Sequence, residues 1–127
     1  MQKSNSYKVQ QGYKSWKKGL GYERICKWYL RLKGYRILFT RYRTPVGEWD
    51  LICLKKCQII FVEVKFRTDS DSLYGALSFF QQKRLYRAAL FFLMREKSYK
   101  EYAYRFDCIF VRKPFILQHI KNIVLPQ

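Results

Sequence analysis

Two segments with strand periodicity, Glu48 to Leu54 and Ile59 to Phe66, flank a short basic turn at Lys55 to Gln58. This hairpin holds Glu48, Asp50 and Glu63, three of only nine acids in a chain with 26 lysines and arginines. Placing scarce carboxylates in an apolar strand pair is costly. A buried charge loses several kcal/mol unless something compensates it. The hairpin therefore requires both a sheet in which it is embedded and a partner for its acids, and the economical partner is a cation.

Alternation along a strand has a period of two, so Phe61, Glu63 and Lys65 share one face. Ile60, Val62, Val64 and Phe66 share the other, which reads as the core face. With Lys55 to Gln58 as a symmetric four-residue loop, Leu54 pairs with Ile59. Counting back, Ile52 faces Phe61, Asp50 faces Glu63 and Glu48 faces Lys65. Directly opposed Cβ atoms lie about 4.5–5.5 Å apart. Two carboxylates at that distance repel unless a proton or cation joins them. A hard divalent ion with oxygen ligands, Mg²⁺ or Mn²⁺, suits Asp50 and Glu63, with the Val64 backbone carbonyl and waters completing its shell. Lys65 then stands beside the bound water or a phosphate, where it can lower the water's pKa and stabilise charge developing on phosphorus. The alternative is a surface hairpin with a Glu48–Lys65 ion pair and a solvated Asp50.

The rest of the chain bounds the partners. A formal net charge of +17 on 127 residues points to a polyanion, nucleic acid before an anionic membrane surface. No apolar run approaches the roughly 20 residues needed to span a bilayer, and Met1 to Gly19 lacks the apolar segment of a secretory signal. Cys26, Cys53, Cys57 and Cys108 lack zinc-knuckle spacing and read as free thiols of a reducing cytoplasm. His119, the only histidine, has no nucleophile near it in sequence and reads as an ordinary structural residue. Residues 1–18 read as a basic arm and 19–127 as one domain.

Helical spacing runs from about Leu20 to Lys33, with apolar stripes at Ile25, Trp28, Tyr29, Leu32 and at Glu23, Cys26, Leu30. Two stripes predict a deeply packed helix with Glu23 turned inward, and Gly34 reads as its stop. Tyr35 to Tyr42 reads as a strand before the hairpin. About Ser78 to Lys97 is a long helix with the stripe Leu85, Ala88, Ala89, Phe92. Tyr104 to Val111 is a further strand, and Ile120 to Leu125 reads as a last edge strand. The order predicts an α/β fold: a mixed sheet with a helix packed on each side. Asp107, between Phe106 and Cys108, has no assigned chemistry; it could pair with a buried arginine or support the fold from behind the site, and structural is the better reading. Arg41, Arg43, Arg67, Lys83, Arg84 and Arg87 flank the hairpin in sequence or lie on the second helix and are candidate phosphate contacts. Tyr74, Phe79 and Phe80 could stack on bases, but core filling is the simpler use of so many aromatics.

With these residues in place, the chain resembles the PD-(D/E)XK nuclease superfamily. Asp50 and Glu63-x-Lys65 look like its strand-borne acids and lysine, and Glu23 looks like the helix glutamate of the Holliday-junction-resolvase branch. The nearer likeness is to the endonuclease-like YraN family. It is carried by Glu23-x-x-Cys26-x-x-Tyr29-Leu30, Gly34-Tyr35-x-Ile37-Leu38 and Gly47-Glu48-x-Asp50-Leu51-Ile52. It continues through Phe61-Val62-Glu63-Val64-Lys65-x-Arg67, Lys83-x-x-x-x-Ala88 and Arg105-Phe106-Asp107. Trp49 stands where the superfamily name has proline, and Tyr22 where a glycine usually precedes the helix glutamate. The resemblance implies a restriction-endonuclease-like α-β-β-β-α-β core and Mg²⁺-dependent hydrolysis of phosphodiester bonds in structured DNA. It implies Asp50, Glu63 and Lys65 as catalytic residues and Glu23 beside Asp50 and Glu63 at the metal. A homodimer stays open, as does a non-catalytic nucleic-acid-binding module on the same fold.

Overall fold

The computed structural model describes residues 21–66, 77–112 and 116–127. The expected basic arm, Arg67 and Tyr74 lie outside the described residues. Five strands form one sheet in the order β1 (Arg36–Thr44), β2 (Gly47–Lys55), β3 (Gln58–Phe66), β4 (Ala103–Arg112) and β5 (Ile116–Ile120). Only β3 and β4 run parallel; every other neighbouring pair is antiparallel. The crossover between the parallel strands carries helix α2 (Phe79–Arg95) and a short 3-10 turn at Lys97–Tyr99. Helix α1, described over 21–32, covers the opposite face. The predicted mixed sheet with a helix on each side is the observed architecture.

Two helices on two faces give two cores. Trp49, Ile52, Ile59, Phe61, Phe92 and Phe106 lie among the buried residues on the α2 side. Cys26, Leu30, Leu51, Cys53, Ile60 and Val62 pack on the α1 side. The expectation of a single core face on β3 is thereby corrected. Phe61 is fully buried under α2, because a central strand sandwiched between helices buries both sets of alternating side chains. The hairpin is likewise interior to the sheet. The register holds as predicted from Leu54↔Ile59 to Leu51↔Val62. Lys55 and Gln58 also pair, so the turn is the dipeptide Lys56-Cys57, with Lys56 at φ +56°. The shorter turn is symmetric about the same centre and leaves the register unchanged.

Helix α2 starts where its chemistry says it should. Ser78 accepts from the Gln81 N–H, and the Gln81 side chain accepts from the Ser78 N–H, a reciprocal cap. Leu85, Ala88, Ala89 and Phe92 are buried against the sheet as their spacing predicted. Gly47 explains how closely the helix sits. A Cβ there would stand 2.9 Å from the Arg84 carbonyl oxygen.

Helix α1 departs from expectation. Its sheet-facing stripe is Glu23, Cys26 and Leu30, whereas Trp28 is 64% and Leu32 82% exposed. A helix on a sheet buries one stripe, and here the stripe with the acid won. Gly34, at φ +90°, ends the helix, with the Tyr35 N–H on the Leu30 carbonyl. The last strand is also displaced from Ile120–Leu125 to Ile116–Ile120. Asn122 takes a left-handed conformation at φ +58° and ends the ladder. Ile123 and Leu125 are still buried, with the Ile123 N–H on the Phe106 carbonyl.

Asp107 is wholly buried, and its two oxygens accept from both Arg105 Nε and Nη2, from the Asn122 N–H and, at 2.7 Å, bond His119 Nε2. His119 Nδ1 meets the Tyr29 hydroxyl at 3.0 Å, and Arg105 donates to the Tyr35 hydroxyl. The network ties β4, β5 and α1 together. The structural reading of Asp107 and His119 holds.

Candidate metal centre and cleft

The site is built where alternation fails. Trp49 and Leu51 are two residues apart on β2, a spacing that normally shares a face. Yet Trp49 lies in the α2 core and Leu51 in the α1 core. The flip falls on Asp50. Across from it, β1 makes the matching adjustment at Arg41, whose φ is +55°. Trp49 is held on its side by stacking on Phe106 at 5.6 Å and by donating to the Leu85 carbonyl of α2 at 3.0 Å. The paired ladder of β2 and β3 runs as far as Leu51↔Val62. Beyond it the Asp50 carboxylate accepts the Val64 N–H at 2.8 Å. A side chain thus takes a backbone donor of β3 and fixes Asp50 against the Glu63–Lys65 segment.

The Asp50 and Glu63 carboxyls are close enough to act on each other's ionisation. Two ionised carboxylates this close repel unless a proton or a cation joins them. Burial raises both pKa values, that of Glu63 well above the ordinary carboxylate range, with the Asp50 charge adding to the rise and Lys65 opposing it. Asp50 rises on burial, against the Val64 N–H, Glu63 and Lys65. The rise is the greater at Glu63. Its Oε2 lies 3.8 Å from Lys65 Nζ, with the two side chains 14% and 24% exposed. Its Oε1 is inaccessible and has no hydrogen-bond partner. A buried carboxylate oxygen without a donor is rare in folded proteins and calls for an explanation such as an ion or water.

Glu23 comes to the same neighbourhood, and its charge acts on Asp50. Its oxygens are engaged by Arg41 Nε at 3.1 Å and by Lys27 at 3.6 Å. Among the described residues no three acid, histidine or cysteine side chains converge on one point. The donor set that fits a hard cation is thus the Asp50–Glu63 pair, with backbone oxygen and water for the remaining positions. Cys26 is no competing ligand. Burial, reinforced by Asp50 and Glu23, pushes its thiol up to about 12, which keeps it protonated. Cys26, Cys53 and Cys108 are buried and free, and Cys57 is exposed.

Glu63 also borders a cleft of about 320 Å³, walled by Arg43 at the end of β1, Glu48 at the start of β2, and Gln81 and Arg84 from α2. The Glu48–Lys65 pair of the surface-hairpin alternative does not form: Glu48 bonds the exposed Arg43, and Lys65 turns to Glu63. Among the candidate phosphate contacts, Arg43, Arg84 and Arg87 are exposed, Arg41 is turned inward onto Glu23 and Lys83 is half-buried. Arg84 also donates to the Val46 carbonyl at 3.3 Å. Sequence reasoning missed Gln81 as a cleft residue. Its signal was there in Ser78-x-x-Gln81, a capping pattern that fixes the first turn of α2. Core filling by Phe79 and Phe80 is corrected, since they are 65% and 71% exposed.

Comparison with known proteins gives the same unit of sequence. The model of the uncharacterised protein family UPF0102 matches residues 22–111. A UPF0102 protein of Agrobacterium fabrum is 44% identical over 91 residues, covering 72% of this chain and 75% of its own. One of Nitrobacter winogradskyi is 37% identical over 102 residues, covering 80% and 86%. One of a Chelativorans species is 37% identical over 110 residues, covering 87% and 89%. The match takes in the hairpin, all three of its acids and all but the last described elements, and the chain belongs to the UPF0102 family.

Proposed function

We propose that this protein is a divalent-metal-dependent endonuclease that hydrolyses phosphodiester bonds in DNA, built as PD-(D/E)XK nucleases are. The observation that carries the reading is the half-buried Asp50–Glu63 pair with a buried, unpartnered Glu63 oxygen and Lys65 alongside. Asp50 and Glu63 would hold Mg²⁺ or Mn²⁺. When bound, such an ion lowers the pKa of a coordinated water and neutralises charge on the phosphate. Asp50 is oriented by the Val64 N–H, which fixes the direction in which its carboxylate would meet the ion. Glu63 would hold the ion in its ionised form. Lys65 supplies a positive charge beside the reacting phosphate. Arg43, Arg84 and Arg87 offer phosphate contacts around the cleft, which give affinity without sequence choice.

The test is nicking of plasmid DNA by purified protein with Mg²⁺ or Mn²⁺. Asp50→Ala should abolish nicking and leave salt-dependent DNA binding in place. Equal background activity in both proteins would defeat the proposal. The engagement of Glu23 by Arg41 and Lys27 favours a second reading, a nucleic-acid-binding module without turnover. Calorimetric Mg²⁺ binding that Glu63→Gln removes would count against that second reading.

A further inference from the structure

Helix α2 opens with two large aromatic side chains in water. Phe79 and Phe80 occupy its first two positions and are 65% and 71% exposed, although the helix has a well-filled buried stripe four residues on. They are held rigidly, because the reciprocal Ser78–Gln81 cap fixes the turn that carries them. Lys83 Nζ lies 5.5 Å above the Phe79 ring, the i, i+4 neighbour on that face. One residue beyond Phe80, Gln81 enters the cleft that Glu63 borders, and Arg84 follows on the same wall. The first turn of α2 contains no acid. Rigid exposed rings, a cation over one of them and an unopposed positive helix end thus stand at the rim of the carboxylate cleft.

We propose that Phe79 and Phe80 are a stacking platform for unpaired nucleobases, so that the substrate class is DNA with single-stranded character beside the scissile phosphate. The inference rests on the nuclease reading for its location and deepens it. A continuous duplex keeps its bases inside and offers the rim only phosphates, which Lys83, Arg84 and Arg87 could meet without help from phenylalanine. A splayed base has a free π-face, and aromatic side chains beside basic ones are the usual means of holding it. Charge selects this occupant over a second copy of the chain. The platform shares its helix with Lys83, Arg84 and Arg87, and two chains of net charge +17 repel.

The experiment is fluorescence anisotropy in EDTA, so that no cleavage is needed. It compares a labelled duplex with the same duplex ending in a single-stranded flap. The wild type should prefer the flap by roughly tenfold or more, the scale of base–aromatic stacking. Phe79→Ala/Phe80→Ala should erase the preference while duplex affinity and melting temperature stay put, and Phe79→Tyr/Phe80→Tyr should keep it. Abasic sites in the flap should lower wild-type binding and leave the alanine variant unmoved. Equal affinity for flap and duplex, an alanine variant that still prefers the flap, or a dimer broken by the alanine variant would each overturn the platform. Nicking activity reports separately on the nuclease reading. A platform failure with Asp50-dependent nicking intact, and a platform that holds without nicking, are distinct results.

Discussion

Glu63→Gln should make the metal-free protein more stable, and increasingly so as pH rises. In the folded chain burial, and then the Asp50 charge, raise the Glu63 pKa well above its ordinary range. In the unfolded chain the same group ionises near its ordinary value of 4.5. The folded state therefore binds more protons than the unfolded state, and stability is lost as pH rises from that ordinary value through the raised one. While the folded pair keeps its proton, each pH unit costs about 1.4 kcal/mol. For a domain of this length that is about 5 °C of melting temperature per unit. Glutamine is close to isosteric with protonated glutamate and does not titrate. The two proteins should coincide near pH 4.5 and diverge above it, the variant becoming the more stable. Urea unfolding at a series of pH values in EDTA measures the difference directly. Mg²⁺ should then raise the wild-type curve, most at high pH where Glu63 is most readily ionised, and leave the variant alone. Parallel pH curves, or a variant less stable at neutral pH, would refute the reasoning from the raised Glu63 pKa.

Other substitutions test other parts. Gly47→Ala should cost about 1–3 kcal/mol in urea unfolding, because the new methyl would press on the Arg84 carbonyl at 2.9 Å and lift α2 off β2. Asp107→Asn should cost about 3–5 kcal/mol, leaving Arg105 without its buried partner. Burial alone would raise the Asp107 pKa, but the bonds from His119, Arg105 and the Asn122 N–H outweigh it and hold it below 3.8. Its contribution is therefore present above that value and lost on further acidification, and the variant should lack this step in an acid-unfolding curve. Lys65→Met should reduce nicking by a hundredfold or more with Mg²⁺ binding retained, as single-turnover cleavage and calorimetry on the same preparation would show.

The sequence carried the hairpin and its register because alternation and a symmetric turn leave little choice. The stripe of α2 was equally plain, since Leu85, Ala88, Ala89 and Phe92 allow one phase only. Helix α1 was not legible in the same way. Apolar residues on two faces gave no reason to prefer Cys26 and Leu30 over Trp28 and Leu32, and the sheet could accept only one. The C-terminal edge misled because Ile123 and Leu125 are buried without belonging to a ladder, and burial is what an apolar run reports. Within the site, pairing predicted Asp50 opposite Glu63 and Glu48 opposite Lys65, but the ladder stops at Leu51↔Val62 and Asp50 reaches the Val64 N–H instead. The break in alternation at Asp50 was not legible, because it depends on Trp49 finding room under α2. The exposure of Phe79 and Phe80 was hidden too, since composition alone assigns aromatics to the interior.

Trp49 has one further consequence. Its indole is clamped by Phe106 and by the Leu85 carbonyl, and the peptide that follows carries the Asp50 carboxylate. A rigid-body tilt of α2 would thus be transmitted along a single residue of chain to the acid. If α2 shifts when its outer end is loaded, the Trp49 contacts would carry that shift to the Asp50 carboxylate one residue away.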